Sequence, residues 1–133
     1  MSRGLALYAA LVLSALLGLL VPFVGPTFGI TLDSQVAARI ADHAVPGGVA
    51  MLAGCALAAL EIRTGRRSTL LAFTAFLGGL WMVGSHLPLV MQSLRGGVTW
   101  AATSFHSVPG VLVAGSAAVI LGRSLVHAEP SPS

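Results

Sequence analysis

Between Arg67 and Arg95 the chain reads Ser68-Thr69-Leu70-Leu71-Ala72-Phe73-Thr74-Ala75-Phe76-Leu77-Gly78-Gly79-Leu80-Trp81-Met82-Val83-Gly84-Ser85-His86-Leu87-Pro88-Leu89-Val90-Met91-Gln92-Ser93-Leu94, without one charged residue. A helix needs about 20 mostly apolar residues to cross a hydrocarbon layer about 30 Å thick, so this run is long enough to span. It is apolar all round and lacks the strict alternation of a barrel strand. The pattern extends in both directions. Charge-free stretches also run from Gly4 to Leu32, from His43 to Leu60 and from Gly96 to Gly122. Four transmembrane helices are predicted, over residues 5–24, 45–60, 69–91 and 108–122, the short second and fourth with room to start inside the preceding loops.

Composition says the same. Of 133 residues, 56% are hydrophobic and 8% charged, with a mean hydropathy of +0.92. A soluble domain carries about a quarter charged residues; this chain cannot cover a water-facing surface. The expected fold is an all-α, integral membrane four-helix bundle, one domain over residues 1–128. The tail at 129–133 alternates Pro and Ser and is expected to be disordered.

Arginines set the expected orientation, because positive charge is retained on the cytoplasmic side. Arg3, Arg63, Arg66, Arg67 and Arg123 fall on one side, Arg39 and Arg95 on the other. A multi-pass protein of the cell membrane with both termini cytoplasmic is expected. The first apolar run is too long for a signal peptide and no Ala-x-Ala-like site follows Gly25, so it reads as a retained span. The pI near 10.6 comes mainly from these topology arginines. Arg63, Arg66 and Arg67 also suit anionic lipid headgroups; nothing implies nucleic acid.

A pentapeptide recurs. His43-Ala44-Val45-Pro46-Gly47 returns as His106-Ser107-Val108-Pro109-Gly110, each before an even-numbered helix. Because proline fits the first helical turn, Val-Pro-Gly reads as a device for starting a helix. The two copies suggest a duplicated two-helix hairpin, its halves parallel about an axis along the membrane normal. Residues 33–42, capped by Asp33 or Ser34, read as a short interfacial helix in the first outer loop. Gly96-Gly97 breaks the chain in the second, where Trp100 and Phe105 suit the headgroup layer. Small residues recur at i, i+4: Ala6, Ala10, Ser14 and Gly18; Ala50, Gly54 and Ala58; Gly110, Ala114, Ala118 and Gly122. Such seams let helices approach closely in lipid.

Several chemistries are disfavoured. A membrane thiol oxidoreductase exchanges a dithiol for a disulfide and needs paired cysteines, whereas Cys55 stands alone and reads as a packing residue. Ion-coupled transport uses acids or bases inside the membrane, and none lies within a predicted span. Glu61 sits at a helix end beside the arginines, as part of a solvated cluster. There is no glycine-rich nucleotide loop, nucleophile elbow or His-Glu-x-x-His motif.

Histidines remain. His43 and His106 precede helices two and four, and His86 lies toward the same end of helix three. All three can share one membrane face. Imidazole ligates zinc, copper and haem iron, with Met82, one turn before His86, and Met91 as softer donors. His127, in the tail, reads as solvated.

The segment Gly79-Leu80-Trp81-Met82-Val83-Gly84-Ser85-His86-Leu87-Pro88, followed by Trp100 and by His106 to Gly110 opening an apolar helix, resembles the SPW-repeat family of small bacterial membrane proteins. Residues 69–122 carry the resemblance. The family repeats a two-helix unit whose Gly-x-Trp helix ends in a Ser-Pro-Trp turn; here Ser85-His86-Leu87 stands in place of that triplet. In helix one only Gly18-Leu19-Leu20 with Pro22 and Pro26 corresponds. The resemblance implies a repeated four-helix architecture in a bacterial membrane and carries no activity.

The first expectation is therefore a non-enzymatic membrane protein without cofactor. It would act through helix packing as an accessory or assembly subunit, or as a homo-oligomer. The alternative is a haem- or metal-binding protein using His43, His86, His106 and Met82. A third is a small-molecule-binding or channel protein lined by the glycine and alanine faces.

Overall fold

The computed structural model describes residues 3–28 and 36–126. In chain order these form α1 (Arg3–Val24), a 3-10 turn (Gly25–Phe28), α2 (Val36–Arg39), a π-helical turn (Ile40–Ala44), α3 (Val45–Thr64), α4 (Thr69–Leu94) and α5 (Trp100–Val126). Among the described residues there is no strand. Four segments, Gly4–Val24, Val36–Thr64, Thr69–Leu94 and Trp100–Val126, are long and apolar enough to cross a membrane. The chain has the all-α, multi-pass architecture expected of it. The tail at 129–133, His127 and the Asp33 or Ser34 cap lie outside the described residues.

The helices run alternately up and down. α1 and α4 each pack against both α3 and α5, so α1 faces α4 across one diagonal and α3 faces α5 across the other. One end, here the near end, holds the start of α1, the turn between α3 and α4, and the end of α5. That turn is made by Gly65, left-handed at φ 66°, followed by Ser68, whose hydroxyl accepts from the Leu71 N–H at 3.3 Å. A left-handed glycine closing one helix and a serine cap opening the next are what the backbone needs there. At the far end Gly96, at φ 74°, ends α4.

Two helix starts differ from the sequence expectation. The segment from Val36 runs through the π turn into α3 as one continuous span of 29 residues, where a separate interfacial helix was expected. α5 begins at Trp100, not Val108. Nothing from Trp100 to Ser107 breaks a helix, so it starts directly after the Gly96-Gly97 turn and Pro109 falls inside it. Lipid-embedded helices tolerate internal proline because neighbours satisfy the freed backbone groups. Val-Pro-Gly is therefore no helix start in the second copy, and His43 and His106 lie within spans.

The core is built from Tyr8, Leu11, Ala15, Ala50, Ala53, Leu57, Ala72, Ala75, Val113, Ala117 and Ile120. Of the small seams, Ala50 and Gly54 are buried, as are Ser14, Gly18 and Gly110, but Ala6, Ala10, Ala118 and Gly122 face outward. On α1 the inward stripe is set by Tyr8 and Leu11, bulkier residues that fill the bundle. The tightest approach to another helix's backbone is at Gly79, where a Cβ would stand 2.5 Å from the Ala114 backbone nitrogen. Only glycine lets α4 and α5 meet this closely.

Candidate functional site

Three imidazoles meet inside the far half of the bundle. His43 is fully buried, His86 is 3% exposed and His106 2%. His86 lies eight residues before the end of α4 and His106 six after the start of α5, about 12 and 9 Å along helices that rise 1.5 Å per residue. In a bilayer-spanning helix that depth is within the hydrocarbon layer. His43 and His86 face each other with Nε2 atoms 3.1 Å apart and ring centroids 4.6 Å apart. The His106 centroid is 5.6 Å from that of His43 and 6.0 Å from that of His86. Phe105 packs its ring 6.0 Å from His106.

Each helix delivers its histidine differently. The π turn carries His43: the Val45 N–H bonds to the Ile40 carbonyl, one residue further back than in an α-helix. Such a turn inserts an extra residue and re-aims the side chains around it, and it recurs at functional sites. Pro46 follows in the first turn of α3. His106 lies one turn before Pro109 in α5. His86 is held from its own helix, its Nδ1 bonded to the Met82 carbonyl. The Ser85 hydroxyl donates to the same carbonyl at 3.1 Å and lies 3.1 Å from Nδ1. A carbonyl only accepts, so His86 Nδ1 carries the proton, and in the neutral ring Nε2 presents a lone pair toward His43.

That arrangement has two chemical uses, separated by one proton. With a proton on its Nε2, His43 donates to His86 and the pair is a buried hydrogen bond. With that proton on Nδ1, two lone pairs face one point. Two nitrogens each about 2.0–2.1 Å from one ion in adjacent positions stand roughly 2.9–3.4 Å apart, which brackets 3.1 Å. Opposed ligands across a haem iron need about twice the bond length, roughly 4 Å, with a macrocycle between them. Among the described residues, no three His, Cys, Asp or Glu side chains are placed to hold a metal ion as they stand. The His43–His86 pair has the spacing of two adjacent ligands, and the His106 ring stands within 6.0 Å of both, centroid to centroid.

The softer donors fall elsewhere. Met82 is buried at 1% exposure, but its thioether packs toward α1, where a Cβ on Gly18 would meet its methyl group. What it gives His86 is its carbonyl. Met91 is 49% exposed on α4 and Cys55 is exposed, so neither fills the interior role expected of it.

At the near end the Tyr8 hydroxyl donates to Glu61 Oε2, and Arg67 reaches the same oxygen through Nε at 3.3 Å. This bond to Glu61 pushes the Arg67 guanidinium above its ordinary value. Glu61 is thus tied to α1 and to the connecting turn, while Arg63 and Arg66 are exposed. Sequence reasoning missed Tyr8, the π turn and Ser85. A lone tyrosine among apolar residues was the available signal for the first.

An open apolar groove runs between α1 and α5, lined by Leu17, Leu20, Val21, Val24, Phe105 and Val108 among others. Its walls are large aliphatics rather than the glycine and alanine faces expected for a binding lumen, because many of those faces are closed by helix contact. Compared with family models, with curated proteins and with solved structures, the chain matches none.

Proposed function

We propose that this is a transition-metal-binding membrane protein whose ligands are His43, His86 and His106. The observation that carries the reading is the 3.1 Å separation of the His43 and His86 Nε2 atoms, with His106 within 6.0 Å, ring to ring, of both. In the loaded state the His106 ring turns toward the shared point and completes a three-imidazole set. The Met82 carbonyl acts as the outer partner that fixes the tautomer of a ligating histidine, a role backbone carbonyls commonly fill.

We read the bundle as a duplicated hairpin in the cell membrane, with both termini cytoplasmic. Two pairs of contacts support the duplication. Gly47 closes on α1 at Ala15 and Leu19, and Gly110, its counterpart, closes on α4 at Met82 and Val83. Across the halves, Gly18 meets Pro109 and Gly78 meets Pro46. The repeat puts His43 and His106 at equivalent places on diagonal helices, and His86, without a histidine counterpart in the first half, makes the site unsymmetrical.

The test is metal content after purification in mild detergent without affinity metal. About one copper or zinc ion per chain is expected, falling at least tenfold in His86→Gln. Full occupancy in His86→Gln, or no metal in wild type under gentle handling, argues against the site.

An accessory-subunit or homo-oligomer reading is kept second on one observation: Gly115, Ala118 and Gly122 form an outward-facing seam of small residues on α5. Crosslinking in native membranes through cysteines placed on that seam tests it.

A further inference from the structure

At the near end, away from the histidines, Glu61 gathers side chains from other parts of the chain. Its carboxylate takes the Tyr8 hydroxyl from α1 and the Arg67 guanidinium from the turn before α4, through Nε at 3.3 Å and Nη2 at 3.5 Å. α1 begins directly against this carboxylate, since a Cβ on Gly4 would stand 3.0 Å from Oε1. Arg123, on α5, acts on it through its charge. The contact with both Nε and Nη2 is side-on and holds the Arg67 plane in one orientation. Beside it, between α1 and α5, lies a shallow cleft lined by Gly4, Leu7, Tyr8, Arg67, Ile120 and Arg123.

The cleft lies at the depth of lipid headgroups. Gly4 is the second residue of α1 and Arg123 the fourth from the end of α5, so both are within about 5 Å of a helix end at 1.5 Å per residue. Its charge is complementary to phosphate. On this side the sequence carries Arg3, Arg63, Arg66, Arg67 and Arg123 against the acids Glu61 and Glu129, so arginine is in surplus however the ions pair. Glu61 therefore orders the cleft without neutralising that end. The chain has arginine and no lysine, and the planar fork of arginine pairs bidentately with phosphate. Between the two guanidiniums, Leu7, Tyr8 and Ile120 offer apolar surface to the first methylenes of an acyl chain. Basic pockets between membrane helices take anionic lipid headgroups at the cytoplasmic surface, where the arginine bias puts this end. Arg63 and Arg66 are exposed and do not line the cleft, so they add only general attraction. We propose that the cleft flanked by Arg67 and Arg123 binds the phosphate of an anionic membrane phospholipid, independently of the histidine cluster.

The experiment offers the full-length protein, in mild detergent, equal amounts of phosphatidylglycerol and phosphatidylcholine and counts retained lipid by native mass spectrometry. One phosphatidylglycerol per chain is expected, preferred at least fivefold over phosphatidylcholine. Arg123→Gln is expected to lower that binding about fivefold, the effect of one arginine near a headgroup. Arg66→Gln makes the same charge change outside the cleft and is expected to lower it less than twofold. Equal losses in the two variants, or undiminished binding in Arg123→Gln, overturn the site in favour of diffuse attraction. No preference between the two lipids in the wild type overturns it as well. Glycerol phosphate at millimolar concentration tests the source of the phosphate: lipid retained in its presence supports the proposal, and lipid displaced makes the cleft a soluble-anion site and contradicts it. Size-exclusion profiles matching wild type establish that each variant is folded.

Discussion

His43 Nε2 and His86 Nε2 stand 3.1 Å apart, joining the π turn before α3 to α4 inside the bundle. Imidazoles carry two polar nitrogens each, and leaving such groups unsatisfied in an apolar interior costs several kcal/mol. The chain nevertheless gathers three of them where helices could have packed with leucine.

If ligation uses imidazoles and the main-chain carbonyl at Met82, sulfur is dispensable. Met82→Leu keeps the carbonyl and much of the volume, and is expected to retain metal occupancy within about twofold. Loss of occupancy comparable to that in His86→Gln, measured by elemental analysis, assigns the thioether to the ion instead.

Glycine positions divide sharply by what surrounds them. A Cβ on Gly79 would sit 2.5 Å from the Ala114 backbone nitrogen, whereas one on Gly84 meets nothing within 4 Å. Gly79→Ala must push α4 and α5 apart and is expected to cost about 1–3 kcal/mol or more. Gly84→Ala only gains helix propensity, up to about 1 kcal/mol. Thermal unfolding in detergent should lower the midpoint for the first and hold or raise it for the second; equal effects contradict the α4–α5 contact.

At the near end, Tyr8→Phe removes the donor to Glu61 without changing shape. A hydrogen bond to a charged group contributes about 1.5–3 kcal/mol net, and the Arg67 partner remains to hold the carboxylate. A loss near the lower end of that range is expected. Paired with Glu61→Gln in a double-mutant cycle, the two changes should be clearly non-additive; additive losses mean that the contact contributes nothing.

Orientation rests on the arginine bias and is tested by labelling. In a Cys55→Ser background, Gly97→Cys is expected to react with an impermeant maleimide in intact cells, and Arg66→Cys only after the membrane is opened. The reverse pattern inverts the bundle.

The four spans were legible because apolar length is a strong signal, and the convergence of His43, His86 and His106 on one end followed from their places relative to those spans. Depth was not legible. Reading Val-Pro-Gly as a helix start put His43 and His106 in the outer loops, since a proline inside a helix is disfavoured in water and tolerated in lipid. The π turn carries no sequence signature, so the aim of His43 could not be foreseen. The role of Met82 was misplaced for a related reason: a side chain announces its sulfur, while a carbonyl belongs to every residue and matters only through geometry. The inward stripe of α1 was read from small residues, whereas Tyr8 and Leu11 set it.

The most direct test of the central claim, that three histidines share one ion, is X-ray absorption at the metal edge of protein loaded with one copper or zinc ion per chain. The account predicts a shell of two to three nitrogens near 2.0 Å with the outer-shell scattering of imidazole rings, losing one ring in His106→Gln. A shell dominated by sulfur, or one unchanged in both His86→Gln and His106→Gln, contradicts it.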